Sequence, residues 1–269
     1  MSLSVLNNVP ALQGQNQLTV TSYYMQKTLF RLSSGLRITE GGDDAAGLQI
    51  ADGVKAQITA LTQSTRNAND GIAFIQVADG ALDQMNKLLT RAVTLAQQAE
   101  SGTVGSKQRV AINTEYAQIK EEIDRIKDAT TFNGTTVFGA TVGVALGDTT
   151  ANSYITVTVS TLSYTTLGLT GDLKTSSAAK TEITALKNAV SSVSSRRGIL
   201  GAYSNRLRTA SAVISVQSQN LTAAESQIRD ANMAEEVSSM VKYQILTQTG
   251  IAGLAQANQA AQSLLSLFR

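Results

Sequence analysis

Three groups of residues in this chain of 269 have the types and spacing to do chemistry. Asp43-Asp44, preceded by Gly41-Gly42, is a paired carboxylate that could bind a cation. Glu121-Glu122 with Asp124 could act as acid and base, and Asn133-Gly134 could open a phosphate loop. Each has a plainer reading. One Asp pair without further ligands does not enclose Ca²⁺, which takes about six to eight oxygens. Asp43 and Asp44 read instead as caps on the free N–H groups of a following helix. Glu121, Glu122 and Asp124 read as a solvated helix face. Asn-Gly between short alternating segments reads as a type I′ hairpin turn.

The chain has no Cys, no His, no Trp and one Pro. Catalysis by a Ser-His-Asp triad or a thiolate, imidazole zinc sites, iron–sulfur clusters and disulfides are therefore excluded. Metal, cofactor and enzyme readings find no support. The net charge of +2 gives no electrostatic case for nucleic acid. No apolar run approaches ~18 residues, so membrane insertion is not expected. Met1-Ser2-Leu3-Ser4-Val5 lacks the basic and apolar regions of a Sec-type signal. Aromatics are only 4% of the chain, so Ala, Leu, Ile and Val must form the core, which favours helix on helix.

Heptad spacing is the strongest pattern. Val54, Leu61, Ala68, Ile75, Leu82, Leu89 and Ala96 stand seven apart, which predicts one helix from about Ala45 to Glu100. Ile112, Tyr116, Ile119, Ile123 and Ile126 predict a second helix, with Ser106 as its N-cap. Thr130 to Thr181 is rich in Thr, Gly and Ser, with strands expected at Thr136-Val137-Phe138 and Ile155–Val159. Leu186, Val193, Leu200, Leu207, Ile214, Leu221 and Ile228 predict a helix from about Ala178 to Arg229. Both ends continue as helical arms without acids over 1–39 and 237–269. The expected fold is mainly α: a long antiparallel helical bundle or coiled-coil rod with a small β-hairpin region in mid-chain. Its divisions are a helical arm at 1–44, rod at 45–139, a short variable region at 140–180, rod at 181–233 and a second arm at 234–269.

Several separated blocks resemble those of bacterial flagellins. At the N-terminal end these are Leu32-Ser33-Ser34-Gly35-Leu36-Arg37-Ile38, Asp43-Asp44-Ala45-Ala46-Gly47-Leu48, Arg66-Asn67-Ala68-Asn69-Asp70-Gly71-Ile72 and Phe132-Asn133-Gly134. At the C-terminal end they are Gln244-Ile245-Leu246, Leu254-Ala255-Gln256-Ala257-Asn258-Gln259 and Leu264-Leu265-Ser266-Leu267-Phe268-Arg269. Two departures from the family pattern stand out. Thr39-Glu40-Gly41-Gly42 implies a looser bend before the Asp pair, and Tyr23-Tyr24 is bulkier than the arms usually carry.

The resemblance implies a structural subunit, not an enzyme, that polymerises into the extracellular flagellar filament for swimming. The alternative is a hook–filament junction protein, which shares the arms. Self-assembly would run through Leu18, Met25, Leu29, Leu32, Leu36, Met240, Ile251, Leu254 and Leu265. The resemblance also implies type III export without a cleaved signal, and junction and cap proteins as partners. An export chaperone would cover Ile251, Leu254, Leu264, Leu265, Leu267 and Phe268. A host Toll-like receptor 5 would grip Arg91, Leu95 and Glu115, with Arg91 and Leu95 sharing a helix face as i, i+4 neighbours.

Overall fold

The computed structural model describes the backbone over 8–147 and 153–267, and side chains over the same residues except 261, 262 and 264–267. Five helices carry the chain: α1 (Val9–Ser34), α2 (Ala45–Glu100), α3 (Ser106–Ala129), α4 (Ser176–Arg229) and α5 (Met233–Leu267). Between α3 and α4 lie four short strands: β1 (Thr131–Phe132), β2 (Thr135–Thr136), β3 (Thr141–Ala145) and β4 (Tyr154–Thr158). The chain forms two compact units, one of 1–56 with 220–269 and one of 57–219. Their boundaries fall inside α2 and α4.

In the unit of 57–219, the heptad positions do what their spacing requires. Ile75, Leu82, Leu89 and Ala96 of α2 meet Leu186, Val193, Leu200 and Leu207 of α4 in one buried cluster. Ile112, Tyr116, Ile119 and Ile123 of α3 close the third side. Alanines at 78, 92, 96 and 99 are fully buried, so small side chains allow close helix approach in place of aromatic bulk. At the rim, Arg197 of α4 reaches Asp79 and Asp83 of α2, each at 2.8 Å.

The mid-chain region caps this helical core. Asn133 (φ 49°) and Gly134 (φ 78°) are both left-handed, as a type I′ turn requires, and they join β1 to β2. The second strand there is shorter than its alternation predicted. Beyond it the Val137 N–H still donates to the Thr130 carbonyl at 3.0 Å, and Val137 and Phe138 turn into the core and are buried. β3 and β4 pair antiparallel with Val144 opposite Ile155, and Val144, Ile155 and Val157 point inward. Ser106 is the first residue of α3, not its cap. Gly105 holds the cap position without a side-chain hydrogen bond. Arg109 serves the other end of this turn, donating to the Ala99 and Ser101 carbonyls at 2.8 and 3.0 Å and so satisfying free carbonyls at the end of α2.

Polar contacts tie α3 to α4 and to the irregular segment after β4. The buried Tyr116 hydroxyl donates to Glu182, whose carboxylate is itself buried in α4. Burial, reinforced by the Glu182 charge, pushes the Tyr116 phenol well above its ordinary range. Lys120 donates to the Gly171 carbonyl at 3.1 Å and lies over the Tyr116 ring.

Candidate functional site

In the unit of 1–56 and 220–269, α1 and α5 pack antiparallel as a pair of arms. α1 starts where Asn8 accepts from the Ala11 N–H at 3.2 Å and Pro10 occupies the first turn. It stops at Gly35, whose φ of 72° suits a residue without a Cβ and whose N–H returns to the Arg31 carbonyl. The chain then crosses to α4. Arg37 N–H donates to the Arg229 carbonyl at 2.6 Å, and Ala231 N–H donates to the Gly35 carbonyl at 2.9 Å.

The seam between the arms is made of leucines over glycines. A Cβ on Gly250 would stand 2.7 Å from Leu18, and one on Gly14 would stand 3.0 Å from Leu254. Thr21 and Thr28 are buried in the same seam, with Met25 and Leu32 of α1 and Met240 of α5 half-buried. Tyr24 stacks on Tyr243 across it, ring centroids 5.8 Å apart. Tyr24 thus supplies area to the seam, whereas Tyr23 is exposed.

Asp43 is the electrostatic centre of this unit, with a side chain only 2% exposed. Lys27 and Arg31 of α1 pair with it, and Thr39 donates to it through its N–H at 3.2 Å and its hydroxyl at 3.0 Å. Arg31 also reaches Glu236 at the start of α5 at 3.5 Å. Burial acts to raise the Asp43 carboxyl, but the hydrogen bonds from Lys27 and Thr39 and the Lys27 charge hold it far below the usual range. The capping expectation therefore divides. Asp44 caps α2 by accepting from the Gly47 N–H at 2.9 Å, whereas Asp43 ties the 36–44 loop to α1. The loop is not loose, because its far end is clamped by Asp43. The sequence signal was already present: α1 has only Lys27 and Arg31 as charges, and both need an acid.

Away from the seam, α1 has a second apolar face. Leu12, Tyr23 and Phe30 are 56%, 57% and 62% exposed. Their spacings of eleven and seven are close to three and two whole turns at ~3.6 residues per turn. They therefore form one stripe, roughly opposite Leu18, Met25 and Leu32. On α5, Val237, Val241 and Ile245 recur every four residues and are 42%, 43% and 57% exposed. Both arms are thus apolar on two sides, and only one side of each is covered. Leu29 is exposed on the flank of α1, Leu36 is half-buried in the crossing, and Ile251 is exposed. Among the residues expected to meet a chaperone, Ile251 is open and Leu254 faces the seam. The side chains of Leu264, Leu265 and Leu267, and all of Phe268, lie outside the described residues.

The three residues singled out for receptor contact do not form one open surface. Arg91 of α2 and Glu115 of α3 are exposed and joined by a 2.8 Å ion pair. Leu95 is 2% exposed and belongs to the core cluster. A step of four residues turns the helix by about 40°, enough to carry Leu95 from the exposed flank inward. Glu122 pairs with Arg125 at 2.6 Å, and Asp124 accepts from the Tyr164 N–H at 3.1 Å, so these acids are structural. Among the described residues, no group of three His, Cys, Asp or Glu could hold a metal ion, and no helix is long and apolar enough to cross a membrane.

Residues 5–142 match the bacterial flagellin N-terminal helical region, and residues 183–268 match the C-terminal helical region. The chain is 40% identical to a flagellin of Halalkalibacterium halodurans over 98% of both chains. It is 36% identical to flagellin FlaB2 of Treponema pallidum over 98% of this chain and 99% of that one. It is 34% identical to the flagellin of Bacillus subtilis over 99% of this chain and all of the other. The crystal structure of Bacillus cereus flagellin superposes with a TM-score of 0.50 at 30% identity, covering 60% of this chain and 94% of that one. A putative flagellar hook-associated protein of Vibrio parahaemolyticus has a TM-score of 0.60 at 11% identity, covering 70% of this chain and all of that one, a likeness of fold alone. With a two-faced arm pair, matches to both flagellin regions and full-length relatives, this chain belongs to the bacterial flagellin family of filament structural subunits.

Proposed function

We propose that the arm pair is the element through which the chain polymerises, and that the unit of 57–219 is a preformed body carried by it. The observation that carries this reading is the second apolar face on each arm. A helix with one covered stripe and another open on the far side requires a further partner. The arms are also suited to close homotypic contact, because Lys27 and Arg31 are already neutralised by Asp43 and Glu236. Residues 237–269 carry no acid at all. Deleting 237–269 tests the reading. Seeded filament growth, followed by electron microscopy, should stop, while circular dichroism retains the helices of 57–219. Filaments built from the truncated chain would overturn it.

The finer expectations rest on the family. The filament is extracellular, reached by type III export, and it contacts junction and cap proteins at its ends. An export chaperone covers the open C-terminal arm around Ile251 before secretion, since such an apolar face invites aggregation. Receptor recognition, proposed for Arg91 and Glu115, has an exposed ion pair to work with, and Leu95 serves it only as packing beneath. Binding of the intact monomer and of Arg91→Ala to the receptor ectodomain tests this, with equal affinity as the refuting result.

A further inference from the structure

Three of the chain's seven tyrosines meet where the arms pack, and two of them are the Tyr23-Tyr24 pair that departs from the family pattern. Tyr24 of α1 and Tyr243 of α5 lie with ring planes 14° apart and centroids at 5.8 Å, within the range of stacked aromatic pairs. Tyr23 stands edge-on to Tyr24, centroids 5.6 Å apart. One residue turns the helix by about 100°, which carries Tyr23 off the seam. Tyr23 and Tyr24 are exposed and Tyr243 is half-buried. Among the described residues, none of the three hydroxyls has a hydrogen-bond partner, so each phenol is free to give its proton to water. The other four tyrosines are placed differently. Tyr116 is buried with its hydroxyl committed to Glu182, and among the described residues Tyr116, Tyr154, Tyr164 and Tyr203 have no aromatic ring beside them. The chain also has no Cys and no Trp, the side chains that compete with tyrosine for a one-electron oxidant.

We propose that Tyr24 and Tyr243 are an oxidative cross-linking site: supplied with hydrogen peroxide and a haem peroxidase, they couple into a dityrosine that joins α1 to α5 within one chain. Each phenol loses one electron to the peroxidase and its hydroxyl proton to water, which leaves two phenoxyl radicals side by side. The radicals combine in a new C–C bond between ring carbons ortho to the two oxygens. The hydrogens on the joined carbons then move, through water, to those oxygens, and both rings are phenols again. The two electrons and two protons given up reduce one hydrogen peroxide to two molecules of water. The stacked pair needs only ring rotation to bring the ortho carbons together, and the χ2 torsion of Tyr is broad. The bond closes a loop from 24 to 243 and takes entropy from the unfolded arms, as a disulfide does. In a chain without Cys it is a route to a covalent tie across the seam.

The test treats the intact chain, dilute and monomeric, with a haem peroxidase and hydrogen peroxide. Dityrosine fluorescence is expected in the band of monomer mass. Tryptic digestion should yield a linked pair, the peptide ending at Lys27 joined to the one beginning at Tyr243, lighter by two hydrogens than the separate peptides together. Tyr24→Phe and Tyr243→Phe keep a ring in the stack and remove the phenol, and each should lower the yield of that pair at least tenfold. Tyr23→Phe should leave it within twofold. Persistence of the pair in Tyr24→Phe, or its loss in Tyr23→Phe, would overturn the assignment to Tyr24. Dityrosine formed only between chains, or none in the intact monomer, would overturn the site. The same treatment in urea, where the arms are unfolded, should remove the link, and an equal yield there would show that chance collision and not the fold joins the two residues.

Discussion

Replacing Asp43 with Asn should loosen the arm pair from the turn that begins α2. The side chain keeps its shape and loses its charge. In the folded protein that charge is 2% exposed and faces Lys27, Arg31 and the Thr39 N–H and hydroxyl. Removing one partner of a fully buried ion pair costs about 3–5 kcal/mol. Lys27 and Arg31 are about a quarter exposed and regain some hydration, which lowers the expected cost to about 2–3 kcal/mol. The Arg31 link to Glu236 survives and limits the damage to the loop and the middle of α1. Hydrogen exchange is the assay, read at the Arg37 and Ala231 amides, whose bonds to Arg229 and Gly35 close the crossing. At about 1.4 kcal/mol per factor of ten, exchange there should quicken by roughly 30- to 150-fold. Exchange within twofold of the unmodified chain would refute the assignment of Asp43 as the clamp. The pH dependence follows from the same geometry. The folded carboxyl is held below its ordinary value of 3.8, so its contribution is complete above that value. It is lost progressively as the pH falls from there toward the depressed folded value. The Asn variant should lack this acid-sensitive component.

Three further outcomes are expected. Tyr116→Phe removes the donor to the buried Glu182 and should cost the unit of 57–219 about 1–3 kcal/mol in urea unfolding; an unchanged midpoint would show that Glu182 finds another donor. Leu207→Asp or Leu82→Asp places an unpaired charge in the α2–α4 seam and should lower stability by several kcal/mol in thermal melting, whereas exposed heptad positions would leave the transition unmoved. Leu95→Ala should destabilise the monomer by about 2–5 kcal/mol, a packing loss that a surface contact residue would not show in calorimetry.

The helices were legible because their period is written many times. The seven-residue steps from Leu61 to Ala96 and from Leu186 to Ile214 coincide with the buried faces of α2 and α4. The Asn133-Gly134 turn was legible because two successive positive φ values suit few residue pairs. Other features depend on contacts distant in sequence. Asp43 looked like a cap because its neighbour Asp44 is one, and only the fold brings it to Lys27 and Arg31. Val137 and Phe138 alternate like a strand, but two neighbours on one strand face opposite sides, and both are buried here, so the strand ends where the chain turns into the core. The outer stripe of α1 was hidden because Tyr23 and Phe30 are seven apart, like Leu18, Met25 and Leu32, and one heptad count cannot tell two opposite faces apart.

Phe30→Asp tests the central claim most directly, because it separates assembly from folding. Phe30 is 62% exposed and lies outside the seam with α5. The substitution should therefore leave the monomer within about 0.5 kcal/mol in thermal unfolding. At a contact between copies it would bury an unpaired carboxylate. Seeded elongation, measured by light scattering at fixed monomer concentration, is expected to fall at least tenfold with the monomer melt unchanged. Elongation at the rate of the unmodified chain would contradict the arms' outer faces as the polymerising surface.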